Sequence, residues 1–399
     1  MSTPNILWVV TTQWRAQATG YGGDPNARTP HLDQLARSSV NYPQAVTPHP
    51  MGPFARAALL TGIRSPANGV RDYFDPLPAE ARTIAHELNE RGYHTAFFGK
   101  WHLGRRDSKV PLVGEAHAKS LISPAGRGGF EFWEGFESGF LLNDPWLHGS
   151  ALPAPRRFPG YQSDVLVDRF SRWLAPQATD RPVFALVSLE APHPPYDAPA
   201  AGVLARNPET LVLPPNVPRG GAVEAKARQE LAGYYAHIEA TDRAIGRLIA
   251  QVDKTWTLVF TSVHGDMHGA HGLSRKGWPY EESIRIPLLV RGPNEAPRLD
   301  ESAVSLVDLH AMTLAWASPS SLPLRAATRA KISMPTVVTL PHQCDRAWRG
   351  IRTKTRKLIV SDDGAPWLFF DLERDPYELT NLADDPSRNH ERGELLKFI

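Results

Sequence analysis

Short runs of aliphatic, β-branched and aromatic residues recur along the chain at residues 5–11, 94–98, 182–189, 256–262 and 287–291, each bounded by turn formers. Runs of that length with no polar alternation predict strands buried on both faces. Between them the period changes to that of helices. "TPHLDQLARSS" opens with Thr29 as cap and Pro30 at the first helical position, "AEARTIAHELNERG" closes on Gly92, and residues 222–252 form the longest helical pattern. "GPFARAALLTG", residues 52–62, is a short helix with Gly52 as cap, Pro53 at the first position and Gly62 after the last turn. Alternating strand and helix predicts an α/β fold with a mostly parallel sheet covered on both faces.

After about residue 318 the rhythm changes again. "WRGIRTKTRKLIVSDDGAPWLFFDLERDP" predicts three short strands with "DDG" as a hairpin turn. The division expected is an α/β domain over residues 1–318 and a small C-terminal α+β subdomain over 319–399. The apolar faces of the second part are too few to bury a core alone, so it should pack on the first.

Composition changes little in this picture. The chain has 399 residues, of which 42% are hydrophobic and 22% charged, as in ordinary globular proteins, so neither disorder nor a membrane span is expected. A net charge of +2 gives no basis for attraction to nucleic acid or membranes. The single cysteine, Cys344, excludes an intramolecular disulfide and fits a reducing compartment. The apolar run near the N-terminus has no basic stretch before it and no cleavage site after it, which reads as a strand of a cytoplasmic protein.

The chemistry sits in loops beside the predicted strands. In "GKWHLG" Lys100 and His102 are two residues apart and can point the same way from an extended loop, although such a pair alone is more often a surface feature. His193 in "APHPPY" is held by prolines. In "HGDMHGAH" the spacing of His264, His268 and His271 could build a three-histidine zinc site on one helical face. Gly265 and Gly269 argue against a regular helix there, so a loop with one site histidine is the preferred reading, with Asp266 orienting a neighbouring side chain rather than binding metal. Trp14, Phe54, Trp101 and Trp278 could line an apolar mouth or simply fill the core.

Taken together, "PNILWVVTTQWR", "GPFARAALLTG", "GYHTAFFGKWHLG", "APHPPY", "TSVHGDMHGAHGLSRKGWPYEESIRIPLLVRGP" and "FFDLERDPYELTNLA" resemble, in order, the landmarks of the sulfatase family of the alkaline phosphatase superfamily. The resemblance implies a doubly wound mixed sheet flanked by helices, a small antiparallel C-terminal sheet, and a site at the strand ends. It also implies a divalent cation, usually calcium, on acidic residues after the first strand and a later one, and a cysteine converted to formylglycine as nucleophile. On this chain the first acidic pair falls on Thr12 and Gln13, and the later Asp and its neighbour on Val263 and His264. The nucleophile motif falls on Gly52, Pro53, Phe54, Ala55 and Arg56, so glycine stands at the nucleophile's place. The family's other polar positions are present as Arg56, Lys100, His102, His193, His264 and Lys276.

From this asymmetry the expectation is a metal-free, cofactor-free cationic hollow that binds an oxyanionic small molecule without hydrolysing sulfate esters. Arg56, Lys100 and Lys276 would hold the anion, His102, His193 and His264 would hydrogen-bond it, and Thr12, Gln13, Gly52 and Trp101 would line the site. Two alternatives stand beside it: a metal-independent hydrolase, lyase or transferase using the same groups, and a structural or regulatory pseudoenzyme. A homo-oligomer is possible.

Overall fold

The computed structural model describes residues 3–176, 181–293, 295–318 and 328–399. Its centre is a 10-stranded sheet. Strand β1 (Ile6–Thr11) lies at the middle, and β2 (His94–Lys100), β3 (Val183–Ser188) and β4 (Thr257–Ser262) run parallel to it in the order β4, β1, β3, β2. All six residues of β1 are buried because the two faces feed different cores: Ile6, Trp8 and Val10 pack into one apolar cluster, Leu7 and Val9 into the other. A strand covered twice needs no polar face, which is why the run reads as continuously apolar. Strand β5 (Leu288–Arg291) falls where a strand is expected but pairs antiparallel to β4. The parallel arrangement thus holds for the centre and not for the margins.

Register matters most for the site. Thr11 of β1 faces Ser262 of β4, Val10 faces Ser188 of β3, and Ser188 faces Gly99 of β2. The carboxyl ends of four strands therefore finish side by side, and the residues that follow them, near positions 12, 101, 189 and 263, emerge at one edge. This is where an open α/β sheet places its ligand.

Helix α1 (Pro30–Arg37) starts with Pro30 as expected, but Thr29 does not cap it through its side chain; its hydroxyl hydrogen-bonds Asp33 Oδ1 at 2.8 Å. Helix α2 (Gly52–Thr61) is led in by extended Met51 and closed by Gly62 in the left-handed region at φ 67°, so Gly52 is the first helical residue and not the cap. Helix α3 (Ile84–Glu90) begins later than its pattern because Thr83 and His86 form a reciprocal capping box, and it ends before Gly92. Helices α4 (Gln162–Leu174) and α5 (Ala222–Ile249) cover the opposite face.

The C-terminal region forms a separate 4-stranded antiparallel sheet of β6 (Arg329–Met334), β7 (Trp348–Thr353), β8 (Arg356–Ser361) and β9 (Pro366–Asp371). The "DDG" turn joins β8 to β9 with Gly364 at φ 88°. Only three strands are expected from the sequence. The fourth, "RAKISM", carries its buried positions on alternate residues of a polar stretch, which hides it. Ile332, Met334, Trp348, Ile359 and Phe370 join the same apolar cluster as β1 and α2, so this sheet is stabilised by the large core. The expected boundary after residue 318 falls against residues 319–327, which lie outside the described residues.

Candidate active site

The strand ends and the start of α2 gather Arg56, Lys100, His102, His193, His264 and Lys276 with Thr12 and Gln13, every one of them at most 9% exposed. In so dry a place a charge must be paired or its group must shed the charge. The arrangement satisfies that demand internally. Arg56 donates through Nη1 to Lys100 O and Ser188 Oγ, and through Nη2 to Thr12 Oγ1 at 2.9 Å. Lys100 Nζ pairs with Glu190 Oε1 at 2.5 Å and lies 4.7 Å from the centre of the Phe140 ring. Burial pulls the Lys100 ammonium down to about 8, with Glu190 opposing.

Gln13, at φ 66°, is the hub. Its amide nitrogen donates to Asp266 Oδ2 and to Tyr196 OH, which fixes the amide's orientation and turns Oε1 toward Lys276 Nζ at 2.7 Å. Burial would raise the Asp266 carboxyl, but His268, Arg275 and Lys276 outweigh it and hold the group ionised at about 2. Lys276 also donates toward His193 Nε2 at 3.2 Å, and burial brings its ammonium down to about 7. The His193 ring is fixed twice: Nδ1 donates to Pro194 O at 2.8 Å, and Phe140 stacks on it with centroids 4.4 Å apart. His264 likewise gives its Nδ1 proton to Gly265 O at 2.8 Å, leaving Nε2 buried without a partner. Burial first, and Lys276 second, keep both imidazoles neutral. His264 therefore presents a free lone pair to the site, while that of His193 receives the Lys276 ammonium.

His102 occupies the volume beside Gly52. A Cβ on Gly52 would stand 2.8 Å from His102 Nδ1, so the ring fills the place a side chain at 52 would take. His102 Nε2 is 3.4 Å from Tyr73 OH, and Nδ1 has no partner.

The structure corrects several expectations. The three cations do not face one another across a bare hollow, because each has its own acceptor. Trp101 lines no site: it is buried in an aromatic cluster with Phe97, Phe130 and Trp133. Trp14 and Phe54 are core residues too, and Trp278 is half-buried against both cores. The three-histidine zinc site does not form. His264 faces Lys276, His268 packs between Tyr196 and Tyr234, and His271 stacks on Tyr280. Asp266 orients Gln13, as a neighbour-positioning role requires. Phe140, Glu190, Ser188 and Tyr196 were not singled out in the sequence, although Tyr196 closes the "APHPPY" motif and Ser188 lies in the strand predicted over 182–189. Glu190 had one signal, a carboxylate directly before "APHPPY".

Comparison with known proteins gives the family. A sulfatase family model matches residues 4–319. The chain is 34% identical over 421 aligned residues to an ulvan-active sulfatase of Formosa agariphila, covering 98% of this chain and 79% of that protein. It is 26% identical to an arylsulfatase of Clostridium perfringens, covering 99% and 93%. Among solved structures, a sulfatase designated yidJ from Bacteroides fragilis superposes with a TM-score of 0.86 at 24% identity, covering 99% and 95%. This kinship overturns the expectation of a protein that binds an anion without cleaving sulfate esters, together with its lyase, transferase and pseudoenzyme alternatives, since relatives that match nearly all of this chain are named as sulfatases. Over the greater part of its length the chain belongs to the sulfatase family.

Proposed function

We propose that the protein hydrolyses a sulfate ester, cleaving the bond between the sulfuryl sulfur and an alcohol or phenol oxygen and releasing sulfate. The observation that carries the reading is Lys276 Nζ held between Gln13 Oε1 and His193 Nε2, with the free lone pair of His264 in its electrostatic range. The named sulfatases among the full-length relatives supply the substrate class.

The groups divide the work by protonation state. Lys276, near neutrality in its pKa, can donate a proton to the departing ester oxygen. His264 Nε2, neutral and unpartnered, can accept a proton from the water whose oxygen attacks sulfur as the S–O bond breaks. The Lys276 ammonium offsets negative charge on the sulfuryl oxygens. Phe140 and Pro194 keep His193 oriented so that it holds Lys276 in place.

The calcium ion and formylglycine implied by the family do not fit the donors present. Thr12 Oγ1 already receives a guanidinium proton, Gln13 Oε1 receives an ammonium proton, and Val263 is a buried aliphatic side chain. A hard dication wants carboxylate oxygens, and Asp266, the carboxylate that contacts Gln13, is already committed to Gln13, Tyr196 and the His268 N–H. Gly52 has no side chain to oxidise.

The test is sulfate release from a panel of aryl, choline and monosaccharide sulfates by the purified protein. Turnover of at least one ester is expected, reduced about 100-fold or more in Lys276→Met and in His264→Ala. Release of no sulfate from any ester would sink the reading.

A further inference from the structure

Away from the strand ends, His271, Glu282 and Glu378 place one ligand atom each within 4.8 Å of one another. His271 and Glu282 come from the one connection between β4 and β5, the first from its loop and the second from the short helix Glu281–Ile284, and Glu378 comes from the segment after β9. Asn216 lies against them. Its amide nitrogen is 2.7 Å from Glu282 Oε1, 3.2 Å from His271 Nε2 and 3.2 Å from Tyr377 O. One amide nitrogen carries two protons, so it cannot serve three acceptors fully.

The surplus of lone pairs does not stop there. Glu282 is 3% exposed, yet its Oε2 has no hydrogen-bond partner, and Asn216 Oδ1 has none either. Buried oxygens of this kind are rare and costly unless something positive meets them. Nearby cations are largely committed elsewhere. Arg352 pairs with Glu281 at 2.9 Å, and Lys357 is shared between Glu281 and Glu378. Arg285 also reaches Glu281, at 3.6 Å, and the buried Arg15 lies in electrostatic range of Glu282, so what stays unmet is a direct partner for Glu282 Oε2 and Asn216 Oδ1.

We propose that His271, Glu282 and Glu378, with Asn216 turned to present Oδ1, form a binding site for a divalent cation of the zinc or manganese kind. One imidazole with two carboxylates and an amide oxygen is a donor set these ions accept. Turning the Asn216 amide gives up the Nδ2 contact to Tyr377 O, and the ion would take the place of the amide protons on Glu282 Oε1 and His271 Nε2. Three ligands around one ion at about 2.1 Å lie roughly 3.0–3.7 Å from one another, so the side chains need to draw in by up to about an ångström. The ion would tie the C-terminal sheet, through Glu378, to the loop that carries His271. This role is structural and independent of the sulfate-ester reading.

The test is calorimetric titration of the chelator-treated full chain with Zn(II) and with Mn(II), and thermal unfolding with and without each ion. Expected is one equivalent of bound ion and a higher unfolding temperature. Binding should weaken 10-fold or more in Glu282→Gln and in His271→Phe, tighten in Asn216→Asp, and persist in Gln13→Ala, which alters the catalytic region. Circular dichroism identifies any variant that fails to fold, and Asn216→Asp then carries the test. Absence of stoichiometric binding, binding unchanged in both ligand variants, or binding lost only with Gln13→Ala would overturn the proposal.

Discussion

Gly52 and His102 share one volume, and their relation can be measured. A side chain at 52 must displace the imidazole, since its Cβ would stand 2.8 Å from Nδ1 in a buried setting. Gly52→Ser is expected to cost about 1–3 kcal/mol of stability by overpacking. The same change in a His102→Ala background should cost less, and a denaturant-based double-mutant cycle reads the coupling. Lys276 gives a second prediction. An acid with a pKa of about 7 is protonated below that pH, so sulfate release should fall as pH rises through about 7, and a pH–rate profile checks it. The histidines lie well below 6.5 and impose no acid limb near neutrality. At this scale the motifs revealed Arg56, Lys100, His102, His193, His264 and Lys276 but not their partners. Glu190, Phe140 and Tyr196 act through contacts across 53 or more positions of chain, to Phe140's His193 and beyond, and no local pattern encodes such contacts.

At the scale of elements, composition and capping chemistry carried most of the information. The five apolar runs are strands because each fills two cores, and "DDG" turns where its glycine can adopt positive φ. Strand direction was not legible: β5 is as apolar as β4 but runs the other way. The start of α3 shows the same limit, since Thr83 caps it both through Ala85 N and through the box with His86. Thr83 also donates to Gly128 O at 2.6 Å. Thr83→Ala is expected to destabilise the protein by about 1–2 kcal/mol, read from denaturant unfolding.

For the whole molecule, the C-terminal sheet is part of the candidate site's frame. Trp348 Nε1 donates to Gly277 O at 2.8 Å, beside Lys276, and Ser333 N donates to Pro48 O in the lead-in to α2. Trp348→Ala is expected to cost about 3–5 kcal/mol and to lower turnover beyond what the lost stability explains, as activity measured well below the unfolding temperature would show. Acid sensitivity is also a property of the whole. Burial lowers His49, His148 and His237 to about 4. Between 6.5 and 4 the unfolded chain binds more protons than the folded one, so stability is fullest above about pH 6.5 and falls on acidification. Each site contributes on the order of 3 kcal/mol at most, and urea midpoints measured from pH 7 to 4 should decline steadily.

The sequence by itself determined the family, the fold class, the buried strands and the polar residues at their ends, because periodicity, caps and motif order are properties of neighbouring positions. Only the tertiary structure decided that the cations are paired internally, that Trp101 is core, that the three histidines part company and that His102 fills the space beside Gly52. Each of those depends on which distant segments share one small, dry volume, and there burial and pairing set charge and position more strongly than any local pattern does.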